Sequence, residues 1–108
     1  KQLEVLYLRN AQISDAGLKE LAKLSNLRML DLGTSQITDA GLKEVAKLQQ
    51  LKELRLDGTE ATDAGLSKLV KLQLLTTLNL LDTKVTKECV AELQKALPDC
   101  NIYSTAKK

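Results

Sequence analysis

Residues 27–50 read LRMLDLGTSQITDAGLKEVAKLQQ, and this pattern recurs about four times along the 108-residue chain. Leu27, Leu30 and Leu32 end in strict alternation, the period of a strand with one buried face. Gly33 to Gln36 are small and polar, which predicts a turn. Ile37 restores an apolar position, and Thr38 stands where a hydroxyl can cap a helix. Asp39 falls in the first helical turn, at the positive end of the dipole, and Lys47 falls at the other end. Leu42, Val45 and Ala46 lie at i, i+3 and i+4, one helical face.

One strand and one helix cannot bury an apolar face alone, but copies laid side by side can. The leucines keep a common register: Leu3, Leu27, Leu51 and Leu75; Leu6, Leu30, Leu54 and Leu78; Leu8, Leu32, Leu56 and Leu80. A repeat of this length is the signature of a solenoid. The spacing Leu-x-x-Leu-x-Leu is that of a leucine-rich repeat. The run from Ile37 to Glu44 resembles bacterial leucine-rich-repeat proteins with a 24-residue unit. It is also similar to the helical repeats of the ribonuclease-inhibitor-like and F-box-associated classes. The ending from Leu93 to Ile102 resembles a common terminal unit of the bacterial group. The resemblance implies an α/β right-handed solenoid, a horseshoe arc with a parallel β-sheet on the concave face and α-helices on the convex face. It also implies a role in protein recognition. Repeats are expected over residues 1–24, 25–48, 49–72 and 73–96, with a C-terminal cap at 97–103 and a polar tail at 104–108.

Composition agrees with stacked aliphatic layers. Hydrophobic residues make up 44% of the chain, Phe and Trp are absent, and Tyr7 and Tyr103 are the only aromatics. The 16 basic and 14 acidic residues leave a net charge of +2, which gives no case for a polyanionic partner. Nucleic acid and membrane are therefore not expected partners: the basic excess, the aromatics and any long apolar stretch are all missing. No signal peptide is visible. The chain begins at Lys1, and its first repeat has no polar cap. The expectation is the C-terminal part of a longer protein, or an end that packs weakly against another chain.

The repeats are not identical. Ala61 stands where Ile13, Ile37 and Val85 stand elsewhere, which predicts a smaller core contact. Ser67-Lys68 replaces Lys43-Glu44, read as surface drift. Lys87-Glu88-Cys89 replaces the Asp-Ala-Gly of the other units, and Pro98 stops the last helix. Cys89 aligns with Gly17, Gly41 and Gly65, and Cys100 follows the same helix. A rise of about 1.5 Å per residue separates the two thiols by more than the ~7 Å a disulfide allows between Cα atoms. Free, buried thiols are expected.

Equivalent positions should form rows. The outward rows of the sheet hold Val5, Met29, Glu53 and Thr77; Tyr7, Asp31, Arg55 and Asn79; and Arg9, Gly33, Asp57 and Leu81. The candidate protein-binding residues are Tyr7, Arg9, Met29, Asp31, Glu53, Arg55, Asp57 and Asn79, with Tyr and Arg as the natural anchors. Asp31 and Arg55 could instead pair across adjacent strands. A second row, Lys23, Lys47, Lys71 and Lys95, is placed at helix ends, where dipole compensation is expected rather than a cationic ridge. A third, Ala11, Ser35, Thr59 and Thr83, is suited to satisfying buried backbone groups. Asp15, Asp39 and Asp63 lack the closely spaced oxygens of a cation site, so first-turn charge compensation is expected. The single glycines Gly17, Gly41 and Gly65 are expected to let helix backbones approach.

Catalysis is not expected. The chain has no His, so the commonest general base and the usual partner of a Ser or Cys nucleophile are missing. No cofactor or metal site is expected. The leading expectation is a non-catalytic interaction module that presents the variable concave face to a protein. The alternative is a structural spacer or self-assembly element that stacks through the uncapped first repeat.

Overall fold

Five short strands and four helices alternate along the chain in the computed structural model, which describes residues 4–10 and 13–105. Leu3, Ala11 and the tail beyond Thr105 lie outside the described residues. The strands are β1 (Val5–Tyr7), β2 (Met29–Asp31), β3 (Glu53–Arg55), β4 (Thr77–Leu80) and β5 (Asn101–Ser104). The helices are α1 (Asp15–Leu21), α2 (Asp39–Val45), α3 (Asp63–Leu66) and α4 (Lys87–Ala96). The strands pair in parallel in chain order. Leu6, Leu30, Leu54, Leu78 and Ile102 stand opposite one another in a single file, as the repeat register requires. β5 runs through Ser104, one residue beyond the expected cap.

The leucine file faces the helices. Leu30, Leu32, Ile37 and Leu42 are fully buried, as are Leu54, Leu56, Ala61 and Leu66 in the next layer. In the first repeat the equivalent Leu6, Leu8 and Ile13 are only partly buried. An interior layer is covered from both sides; the first described layer is covered from one.

The turns after the strands follow the same period. Asn10, Thr34, Gly58 and Asp82 all adopt positive φ, between 53° and 72°. Asn, Asp and Gly tolerate this conformation; the β-branched Thr34 does not favour it. Its hydroxyl is tied down by Gly33 O at 2.7 Å and Asn10 Oδ1 at 3.0 Å. One residue further on, Ser35, Thr59 and Thr83 donate to the carbonyls of Leu32, Leu56 and Leu80 at 2.6–2.8 Å. The expected hydroxyl row therefore satisfies strand-end carbonyls.

The Asp row does more than compensate a dipole. Each carboxylate reaches into the following repeat and accepts two hydrogen bonds from its Thr. Asp15 accepts from the Thr38 N–H at 2.9 Å and its hydroxyl at 2.5 Å. Asp39 accepts from the Thr62 N–H at 2.8 Å and also from its hydroxyl. Asp63 does the same with Thr86, at 2.8 and 2.7 Å. The threonines serve mainly as receivers of this clamp. Only Thr38 and Thr86 also cap their own helices, and Thr62 does not.

The glycines make room for the clamp. A Cβ on Gly65 would overlap Asp39 Oδ1 and come 2.8 Å from Leu42 Cδ1; one on Gly41 would overlap Asp15 Oδ1 and come 2.8 Å from Leu18 Cδ1. The expected close approach is thus real, and its direct beneficiary is the carboxylate. Two departures from expectation concern the helix ends. Lys23 and Lys47 lie just beyond α1 and α2, in the closing turns, because those helices end at Leu21 and Val45. The other is at the Ser67-Lys68 exchange, where the helix tightens to a 3-10 segment over Ser67–Lys71, with the exposed Ser67 hydroxyl donating back to Ala64 O at 2.9 Å.

Two outcomes follow. Gly65→Ala gains about 0.5–1 kcal/mol of helix propensity but overpacks the junction at a cost of roughly 1–3 kcal/mol. A net loss of stability is expected in urea denaturation; a net gain would remove the clamp's need for space. The second concerns acid. Burial pushes the Asp63 carboxyl upward, but the Thr86 N–H and hydroxyl and the Cys89 thiol outweigh it and hold the pKa below 3.8. The unfolded chain then binds the proton more readily. The carboxylate's contribution is complete above pH 3.8 and is lost as pH falls through the lower folded value. Asp63→Asn should therefore flatten the fall of stability below that pH, measured by denaturation over a pH series.

Candidate protein-recognition surface

Alternation along each strand turns every residue between two core leucines outward. The sheet register then builds the central row Tyr7, Asp31, Arg55, Asn79 and Tyr103, beside the row Val5, Met29, Glu53, Thr77 and Asn101. Tyr103 was not among the sequence candidates. Its distance from Tyr7 is four repeat lengths, so the 24-residue period alone could have found it.

Not all of the candidates are available. Met29 is only 8% exposed and Asp31 3%, against 65% for Tyr7 and 52% for Tyr103. Two of the candidates are thus largely covered by their neighbours. Interior side chains have neighbours about 4.8 Å away on both flanks, whereas those on β1 and β5 have them on one.

The charged candidates are wired to one another. Arg9 donates from Nε to Asp31 at 3.2 Å and from Nη2 to Asp57 at 2.7 Å, across two repeats. Its path crosses Gly33, where a Cβ would come 2.6 Å from the guanidinium carbon. Gly33 is thus the slot through which Arg9 spans the sheet. Arg55 bonds Glu53 on its own strand, Nη2 to Oε2 at 2.6 Å, and lies 3.7 Å from Asp31. The cross-strand pairing of Asp31 and Arg55 occurs, but Arg9 is the closer partner. Asp31 also accepts from the Gly33 N–H at 3.0 Å. Hydrogen bonds to Asp57 and then Asp31 raise the Arg9 pKa, and the bond to Glu53 raises that of Arg55. Five of the eight candidates, Arg9, Asp31, Glu53, Arg55 and Asp57, therefore form one connected network of two cations and three anions.

The far side offers less. Lys23 and Lys47 pair with Glu20 and Glu44 at 3.2 and 3.0 Å, which breaks up any continuous ridge. A hollow of about 250 Å³ lies between the 3-10 segment and α4, lined by Leu66, Val70, Cys89 and Leu93. Burial, and then the charge of Asp63, push the Cys89 thiol up to about 11, so it stays protonated near neutrality. Burial raises Cys100 as well. Both thiols are free. Among the described residues no group of three or more potential metal ligands converges.

The network makes a stability prediction. Asp31→Ala removes the acceptor of a buried N–H and one anchor of Arg9, so a loss of about 1–3 kcal/mol is expected. Arg9→Ala should cost less, below about 1 kcal/mol, because the guanidinium side chain is 40% exposed. Urea midpoints of the two variants check the order; the reverse order would place the strain on the arginine.

Comparison with known proteins agrees with this geometry. A family profile for two copies of leucine-rich repeats matches residues 1–44. Comparison with curated protein sequences returned no significant match. Internalin C2 of Listeria monocytogenes is 29% identical with a TM-score of 0.79, over 98% of this chain and 45% of that one. The internalin InlF of the same organism is also 29% identical, with a TM-score of 0.81 over 98% of this chain and 30% of that one. A leucine-rich-repeat protein of Leptospira interrogans is 25% identical, with a TM-score of 0.72 over 93% of this chain and 25% of that one. The chain thus spans less than half the length of these solved structures. The leucine file, the five-stranded parallel sheet and these neighbours lead to one conclusion: the chain has the α/β solenoid fold of leucine-rich-repeat proteins.

Proposed function

We propose that the chain is a non-catalytic protein-recognition module whose concave sheet receives the partner. One observation carries this reading: the chain's only two aromatics, Tyr7 and Tyr103, both stand exposed on that face, in the same row. Neither is needed for the aliphatic core. Tyrosines are preferred anchors at protein interfaces, where a large apolar ring and a hydroxyl act together. Val5 and Leu81, also exposed, extend the apolar area beside them. The concave sheet of a solenoid is an extended surface suited to such use. The absence of His and the protonated Cys89 thiol favour recognition over chemistry.

A second reading, docking through the first repeat, has one observation in its favour. Leu21 and Leu24 are partly buried, whereas the equivalent Val45 and Leu48 are fully buried. The Asp–Thr clamp argues against a second copy as the occupant. A following repeat receives its carboxylate from the repeat before it, and α4 begins with Lys87 in that place. The last helix therefore has no carboxylate in the clamp position to offer the Ser14 of a stacked copy.

The test is capture of partners by the 108-residue chain and by Tyr7→Ala and Tyr103→Ala. Each variant should lose roughly tenfold or more in affinity for any partner the parent chain retains. Lys43→Ala on the helical side should lose nothing. Unchanged capture by both tyrosine variants, with urea midpoints intact, would remove the concave face from the function.

A further inference from the structure

Resting on the reading of the concave sheet as the recognition surface, we infer that its occupant is an extended peptide segment, uncharged at its centre, with apolar side chains six residues apart. Charge comes first. Arg9 and Arg55 face Asp31, Glu53 and Asp57, two cations against three anions, all within one network. An acidic segment would meet a net negative strip, and a basic one would compete with Arg9 and Arg55 for carboxylates they already hold.

Hydrogen-bonding capacity comes next. Arg9 spends Nε and Nη2 on Asp31 and Asp57, and its Nη1 has no partner among the described residues. Arg55 spends Nε and Nη2 on Glu53, while its Nη1 stays 3.7 Å from Asp31, beyond hydrogen-bond reach. Asn79 accepts the Leu81 N–H through Oδ1 at 3.0 Å, and its amide nitrogen has no partner among the described residues. What remains between the tyrosines is a mixed set, these donors together with the second carboxylate oxygens of Glu53 and Asp57, and it calls for a partner that offers both acceptors and donors. The carbonyls and N–H groups of an extended backbone fit. Those of a helix are consumed by its own i→i−4 bonds.

Spacing selects the same conformation. Tyr7 and Tyr103 are four strand steps apart in register, which is about 19 Å at ~4.8 Å per step. Six residues of extended chain cover about 20 Å, and an even offset keeps both side chains on one face. A helix needs about 13 or 14 residues for the same span, and its backbone groups are already paired within it.

The probe is a short acetylated and amidated peptide of Ser and Thr with phenylalanines at its second and eighth positions, titrated against the 108-residue chain by NMR. Controls carry the second phenylalanine one position earlier, or glutamates at the centre. The six-residue spacing should bind at least about tenfold tighter than either control. Tyr7→Ala or Tyr103→Ala should erase that preference, and Asn79→Ala should weaken it. Equal binding of both spacings, preference for the acidic centre, or no binding at millimolar concentration overturns the inference. If partner capture still depends on the two tyrosines, only the peptide inference falls; if capture ignores them, the recognition reading falls with it.

Discussion

Each repeat of this protein depends on a layer it cannot complete alone. A three-residue strand and two turns of helix expose their leucines until the next unit covers them. Hydrophobic burial supplies the attraction, at roughly 25 cal/mol per Å² of apolar surface, but burial alone does not set how the units are offset. The carboxylate at the start of one helix sets it. Bound to both the N–H and the hydroxyl of a threonine in the next repeat, it accepts in two directions and fixes the junction. Glycine follows from that geometry, since a methyl group in its place would occupy the oxygen's position.

The same period that stacks the core also lays out the sheet's outer surface, and there the interior and the ends behave differently. In the interior, long charged side chains lie across neighbouring strands and pair with one another. Arg9 reaches Asp57 because Gly33 leaves the passage open. At the two edges, tyrosines without a second flanking strand stand exposed. A face with satisfied charges in the middle and aromatic rings at its margins is poorly suited to binding by long-range attraction and better suited to contact.

Repeats three and four relax the rule. Ser67 turns its hydroxyl back on its own helix, which tightens to 3-10 geometry. Cys89 takes the place of the clearing glycine, and its sulfur rests 3.8 Å from Asp63 O. The clamp still closes at Thr86, but α4 carries Lys87 where a carboxylate would be needed to hold a further unit. The junction chemistry is therefore directional, and it ends at this repeat.

Residue spacing by itself determined the solenoid, the parallel register and the inward file from Leu6 to Ile102, because these follow from a fixed period acting on apolar residues. It also pointed to the hydroxyl row, the close approach at Gly41 and Gly65, and the free thiols, each a matter of one residue's neighbours along the chain. Tertiary structure alone decided which outward residues are available. Met29 and Asp31 are indistinguishable from exposed positions in a linear pattern, yet their neighbours on adjacent strands bury them. Only the fold brings Arg9 within reach of a carboxylate 48 residues away, and Asp39 within reach of Thr62 in the next unit. The physical reason is common to both: hydrogen bonds and ion pairs are set by distance in space, which a repeating sequence brings about without spelling out.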